Sequence, residues 1–278
     1  MLTVGFAILA ACFAGFADFL GGVASRRISA ISVLLGSYAL SLVGFGFLAA
    51  VSGQAAPSVT RLLFGLVAGL GTAAGLYFLY TGLAIGPMSV VAPIAATAAV
   101  PAVLVGVVSG ESLHPFQLVG IPLAIGGTVL ASSVAESKSV SSSTRGAIFL
   151  GIGAAVMLGL SYAAIKASVD GKPLWTATAI RAGGLTILLP FLIGKQSVRF
   201  PPRATWPLVA LVTLVDGLAV LALVAASNRG LLTVVSTIAS LYPVITVILA
   251  AVVLRERVRI VQCVGIAVAL AGVCLLAA

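Results

Sequence analysis

An all-α integral membrane protein of ten transmembrane helices, arranged as a 5+5 inverted repeat, is the fold this sequence predicts, on three observations. Hydrophobic residues make up 61% of the 278 and charged residues only 8%, the composition of a chain that lives in lipid. Apolar runs long enough to cross a bilayer, about 20 residues each at 1.5 Å rise, follow one another almost end to end. One element also occurs twice. Glu111, Gln117, Val119, Gly120, Ile121, Ala124, Gly127 and Leu130 return, without a gap, as Glu256, Gln262, Val264, Gly265, Ile266, Ala269, Gly272 and Leu275. Glu, Gln and Gly are among the matches, so shared apolar composition does not explain them. The chain is a tandem duplication.

In the first copy, apolar runs bounded by charge, Pro or Gly clusters predict spans near 2–24, 30–52, 62–85, 87–109 and 115–135. The second copy gives 146–168, 174–194, 205–227, 230–253 and 258–278. Residues 136–145, rich in Ser with Glu136, Lys138 and Arg145, have the composition of a flexible linker and divide a first repeat, 1–135, from a second, 146–278. Five spans cross a membrane an odd number of times, so the second copy starts on the opposite side and is inverted. Inverted repeats recur in secondary transporters, where two related halves exchange conformations and open one side and then the other. Short connections make consecutive spans antiparallel neighbours. A membrane β-barrel would need period-two alternation, which these continuously apolar runs lack.

Inside the spans, glycines in the third fall at i, i+4 intervals, Gly65 with Gly69, Gly71 with Gly75 and Gly82 with Gly86. Small residues at that spacing let helix backbones approach closely. Pro93 and Pro101 in the fourth span, Pro190 in the seventh and Pro243 in the ninth each free a backbone carbonyl. The fourth and ninth spans are therefore expected to be kinked and to line a cavity.

The formal charge of +9 is spread singly or in short clusters between apolar runs. Such residues set topology and meet anionic headgroups, and they form no basic stripe for nucleic acid. Cys12, Cys263 and Cys274 lack paired spacing, and His114 stands alone, so no metal site is read. Leu9 to Cys12 looks like a lipoprotein processing box, but no positive residue precedes it and the apolar run continues, so an uncleaved first helix is expected. HExxH, GxSxG and phosphate-loop motifs are missing from the sequence, so no enzyme and no cofactor are read. A passive channel or a structural membrane subunit stays as the rival to a carrier.

Residues 231–257, with Tyr242, Pro243, Arg255 and Glu256, followed by Gln262, Gly265 and Gly272, resemble the ninth and tenth helices of EamA-type transporters of the drug/metabolite transporter superfamily. Residues 86–94 through Gly110, Glu111, Gln117 and Gly120 repeat that pattern, and residues 159–166 with Arg181 in the next span are similar to the family as well. The resemblance covers essentially the whole chain. It implies helices around a central cavity, transport of small organic solutes such as amino acids, metabolites or drug-like compounds, efflux rather than uptake, and a bacterial inner membrane. The first copy departs from the pattern: Ala98 stands where the second has Pro243, no lysine aligns with Lys166, and Ser37 stands roughly where Arg181 does.

Ionisable residues deep in spans are the leading site candidates, because a buried charge must pair, neutralise or line water. Asp216 lies near the middle of the eighth span, roughly 16 Å from either end, too deep for its short side chain to reach headgroups. Asp18 lies inside the first span. Tyr77, Tyr80 and Thr81 near the end of the third span, Pro93 and Thr97 on the fourth, Tyr162 on the sixth, and Ser236, Ser240 and Tyr242 on the ninth add polar groups. The candidate substrate or coupling set is Asp18, Tyr77, Tyr80, Pro93, Thr97, Tyr162, Asp216, Ser240 and Tyr242. Lys166 and Arg181, nearer span ends, are expected to snorkel. Glu111 and Glu256 are expected to accept N–H bonds at the starts of the fifth and tenth spans, or to pair with Arg255 or Arg257.

The partners read from the sequence are a small-molecule solute, the lipid bilayer and, if Asp216 or Asp18 titrates, protons; facilitated diffusion stays open, as do monomer and homodimer. Asp216→Asn is expected to abolish pH-dependent transport without loss of folded protein. Orientation has two readings. The resemblance implies cytoplasmic termini, which puts Arg61, Lys172 and Arg229 in inner loops. The outer loops then hold Arg26, Arg27, Lys138, Arg145, Lys195, Arg199, Arg203, Arg255, Arg257 and Arg259. Loop charge alone points the other way.

Overall fold

The computed structural model describes residues 2–25, 28–85, 91, 94–132, 142–193, 202–253 and 260–277. Among them every regular element is helical. The first copy supplies α1 (Leu2–Ser25), α2 (Ala30–Val51), α3 (Val59–Ile85), α4 (Ala99–Val108) and α5 (Pro115–Ser132). The second supplies α6 (Ser142–Ser168), α7 (Pro173–Leu188), α8 (Trp206–Ser227), α9 (Leu232–Ala239), α10 (Tyr242–Val253) and α11 (Ile260–Ala277). Five segments, Leu2–Ser25, Ala30–Val51, Val59–Gly82, Arg145–Ser168 and Arg203–Ser227, are long and apolar enough to cross a membrane. Ala96–Val108, Pro115–Ala131, Leu232–Thr246 and Ile260–Leu276 are shorter apolar helices.

Local chemistry sets several of these boundaries. Ser29 opens α2 by accepting the Ser32 N–H at 3.2 Å, an N-cap that satisfies one orphan donor. Pro115 and Pro173 begin α5 and α7, where a missing N–H has no partner to lose. The ninth predicted span is not one kinked helix but two. α9 stops at Ala239, the Ser240 N–H bonds the Ser236 carbonyl at 2.9 Å, the Leu241 N–H bonds the Ile238 carbonyl at 3.1 Å, and α10 restarts at Tyr242. Pro243 falls in the first turn of α10, so it breaks the helix instead of bending it. Pro101 likewise sits in the first turn of α4, behind a 3-10 turn at Ala96–Ala98. Pro190 ends α7 and opens a short turn, Pro190–Ile193. Pro93 and Glu256 lie outside the described residues.

Small side chains are frequent in the interior, and many large apolar ones face out. Among the described residues alanine is the commonest buried apolar residue, whereas Phe47, Phe149 and Leu214 are 65%, 74% and 61% exposed. A bundle with this inversion buries its outer surface in lipid and packs by close backbone approach. The duplicated element shows the approach most clearly. A Cβ on Gly120 would lie 2.9 Å from the Gly272 carbonyl oxygen, one on Gly272 would lie 2.8 Å from the Gly120 carbonyl oxygen, and one on Gly127 would lie 2.8 Å from that of Gly265. Gly120 and Gly265 are equivalent in the two copies, as are Gly127 and Gly272. Contact 120–272 is thus contact 265–127 read from the other copy, the self-complementary pattern of a two-fold axis. Early residues of α5 meet late residues of α11, so the pair is antiparallel. Elsewhere α3 packs on α6 as α8 packs on α1.

Two charged side chains fasten the α8–α9 connection. Leu231, at the start of α9, offers no side-chain cap. Glu111 supplies one from the other copy: its carboxylate accepts the Leu232 N–H at 2.5 Å and the Thr233 N–H at 2.9 Å. Gly110, at φ +86°, turns the chain out of α4, and the Glu111 N–H returns to the Gly106 carbonyl at 3.1 Å, which aims the side chain at α9. This corrects the expected cap on the fifth span: Glu111 caps α9. Lys166 does not snorkel; its ammonium donates to the carbonyls of Ser227, at 2.8 Å, and Gly230, at the C-terminal end of α8.

Candidate functional site

Faces of α1, α3, α6 and α8 meet the α9–α10 break around a cavity of about 80 Å³. The wall is read at helical spacing: Ala10, Ala14 and Asp18 from α1, Leu158, Tyr162 and Ile165 from α6, and Asp216, Val220 and Leu223 from α8. Residues three or four apart share one helix face, so small and apolar positions leave room beside each carboxylate. Thr72 and Leu76 of α3, Ser161 of α6, Ile180 of α7, Ala219 of α8, and Ala239 and Tyr242 from either side of the break complete it. The Thr72 hydroxyl donates to the Ala68 carbonyl of its own helix at 2.8 Å, which satisfies it internally.

Glycines on α1 bring the aromatic groups to Asp18. Gly15, one turn before it, lets the Tyr242 carbonyl lie where a Cβ would be, and the Thr246 hydroxyl donates to the Gly15 carbonyl at 3.1 Å. Gly21, one turn after it, leaves space for the Tyr80 hydroxyl. That hydroxyl donates to Asp18 Oδ1 at 3.2 Å. Among the described residues, no cation forms a salt bridge with Asp18.

Asp216 is held differently. Arg181 Nη2 lies 2.6 Å from Asp216 Oδ2, with the Arg181 side chain fully buried and that of Asp216 21% exposed. The same nitrogen lies 3.4 Å from the Asp216 carbonyl. Arg181 also sits over the Tyr38 ring, 4.6 Å from its centroid, a cation–π contact. A Cβ on Gly184 would overlap that ring and one on Gly183 would overlap the Leu66 carbonyl, so two glycines of α7 admit α2 and α3 to the guanidinium's surroundings. The expected snorkelling of Arg181 is therefore overturned. It lies mid-helix in α7, and its charge is used by Asp216, a residue 35 positions further along the chain.

Of the candidates, Asp18, Tyr162, Asp216 and Tyr242 share the cavity wall and Tyr80 reaches it through Asp18. Three others do not join them. Tyr77 packs on Phe191, ring centroids 5.5 Å apart. The Thr97 hydroxyl donates to the Ile94 carbonyl at 2.6 Å. Ser240 is 1% exposed and donates to the Thr237 carbonyl at 2.9 Å. Sequence reasoning missed Arg181 and Tyr38. A charge inventory carries the signal for the first, since a mid-span aspartate needs a counterion and few spans contain one.

A helical bundle with an apolar outside and a charged cavity within is the architecture of a membrane transport protein of small solutes. The chain belongs to the EamA-like transporter family, whose sequence profile matches residues 1–133 and again 145–278. It is an integral membrane protein made of two copies of that module. A crystal structure titled only "Crystal structure of protein" has the same fold, with TM-score 0.76 and 18% identity over 99% of this chain and 94% of that one. No curated protein matches the sequence.

Proposed function

We propose that the protein is a secondary transporter that exports a small organic solute from a bacterial cytoplasm by alternating access. In this reading ten spans form an inverted 5+5 repeat, with residues 1–135 and 146–278 as the halves and 136–145 as the linker. The observation that carries it is a cavity wall with one carboxylate from each copy, Asp18 and Asp216, of which, among the described residues, only Asp216 pairs with a cation. A carboxylate without a counterion in an apolar bundle is charged at a cost, so it exchanges between proton, solute cation and water. That makes Asp18 the coupling group and Asp216 with Arg181 its fixed neighbour. The reciprocal Gly120–Gly272 and Gly127–Gly265 contacts support the inverted relation, since halves related by an axis in the membrane plane can exchange shapes.

Proteoliposomes loaded with a solute mixture test the reading. A carrier gives saturable counterflow, and Asp18→Asn removes its dependence on a pH gradient. Flux that never saturates and follows voltage ohmically identifies a passive channel instead and sinks the proposal.

A further inference from the structure

We infer that the cavity selects a primary ammonium group on an apolar body, held as the counterion of Asp18, and rejects carboxylates and zwitterions. The inference rests on the transporter reading and narrows its solute class. Charge decides it. The Tyr80 hydroxyl on α3 bonds Asp18, and the polar residues that share its cavity wall are Thr72 on α3, Ser161 and Tyr162 on α6, Asp216 on α8 and Tyr242 on α10. Among the described residues the cation near them is Arg181 on α7, behind Asp216 and over Tyr38 of α2; it is fully buried and absent from the wall. Lys166 is fastened to the Ser227 and Gly230 carbonyls.

With both aspartates ionised, the described site carries two negative charges and one positive. A solute carboxylate meets no free cation there and must displace Asp216 from a 2.6 Å bond. A neutral solute leaves Asp18 unbalanced. An ammonium supplies the missing charge and three N–H donors, for which Asp18 is the anionic acceptor. Tyrosine rings attract cations through their faces as well. Leu76, Ile165, Val220 and Leu223 give the rest of the solute an apolar wall. Where a proton already occupies Asp18, the step is an exchange: the ammonium enters, the proton leaves for water, and no covalent bond to carbon changes.

The test is isothermal titration of the full chain in lipid nanodiscs with four probes of one shape: phenethylammonium, phenethyl alcohol, 3-phenylpropionate and zwitterionic phenylalanine. Phenethylammonium is expected to bind about tenfold or more tightly than each of the others, and more weakly as protons compete at acid pH. Asp18→Asn is expected to abolish both the preference and the pH dependence, whereas Asp18→Glu keeps them. Equal or tighter binding of the carboxylate or the zwitterion overturns the inference, and so does binding of none of the four. So does an ammonium affinity that Asp18→Asn leaves unchanged. Saturable counterflow of other solutes without ammonium binding sinks this inference alone; ammonium binding without saturable counterflow sinks the transporter reading alone.

Discussion

Arg181 governs what can be changed at Asp216. Asp216→Asn leaves a fully buried guanidinium without its anion, and breaking a buried pair from one side costs about 3 kcal/mol or more. Folded yield is therefore expected to fall, contrary to the sequence-based expectation that this variant keeps its fold. Arg181→Met with Asp216→Leu removes both charges and is expected to recover most of the loss, because apolar replacement of a whole buried pair is often neutral. Thermal unfolding of both single variants and the double variant in detergent gives the coupling energy; additive losses would rule out a functional pair. Asp18 and Asp216 were legible as candidates because a short acidic side chain deep in an apolar run has few places to go. Arg181 was not, because a long side chain about two turns into a span can point to the headgroups or to the interior, and the partner that decides between them lies on another helix. Tyr77, Thr97 and Ser240 show the converse: a hydroxyl in a span says only that it needs a partner, and the backbone of its own turn serves Thr97 and Ser240.

At the scale of elements, α9 depends on a cap from the opposite copy. Its first N–H groups belong to Leu232 and Thr233, and both bond to Glu111. Glu111→Ala leaves these donors without a protein acceptor and is expected to cost about 1–3 kcal/mol. Hydrogen exchange separates this from a general loss of stability: the Leu232 and Thr233 amides should speed up well before those of α6. Uniform acceleration across the chain would show that the carboxylate has no local role. Helices 2 to 85 followed the apolar runs closely, since long periodic segments announce themselves. The α9–α10 break did not, because a proline in a run is compatible with a kink or with a restart. The Ser240 and Leu241 hydrogen bonds that close α9 decide for the restart. The Glu111 cap was half legible: a carboxylate at a helix start was expected, but the helix it serves follows 121 positions later, beyond any local pattern.

For the whole molecule, duplication was plain from the Glu, Gln and Gly matches, whereas how the copies meet was not. The sequence says that the copies exist; the reciprocal α5–α11 contact says that the duplicated element is where they touch. A leucine at Gly120 and a leucine at Gly265 then wedge equivalent positions of one self-complementary interface, and the physical argument makes the two substitutions nearly interchangeable. Gly120 packs on Gly272, Leu275 and Leu276, and Gly265 packs on Ala131 and Leu130, with backbone contact in both cases. Neither neighbour can withdraw without moving a helix. Each substitution is expected to destabilise by about 1–3 kcal/mol, and joining them is expected to cost less than the sum, because the first wedge already parts the helices. Gly126, which meets nothing within 4 Å, serves as the control, where leucine should be nearly neutral. Thermal unfolding of Gly120→Leu, Gly265→Leu, their combination and Gly126→Leu supplies the numbers. If only one copy is sensitive, the two-fold relation is incidental; matched losses make the α5–α11 contact the axis about which the two copies are organised.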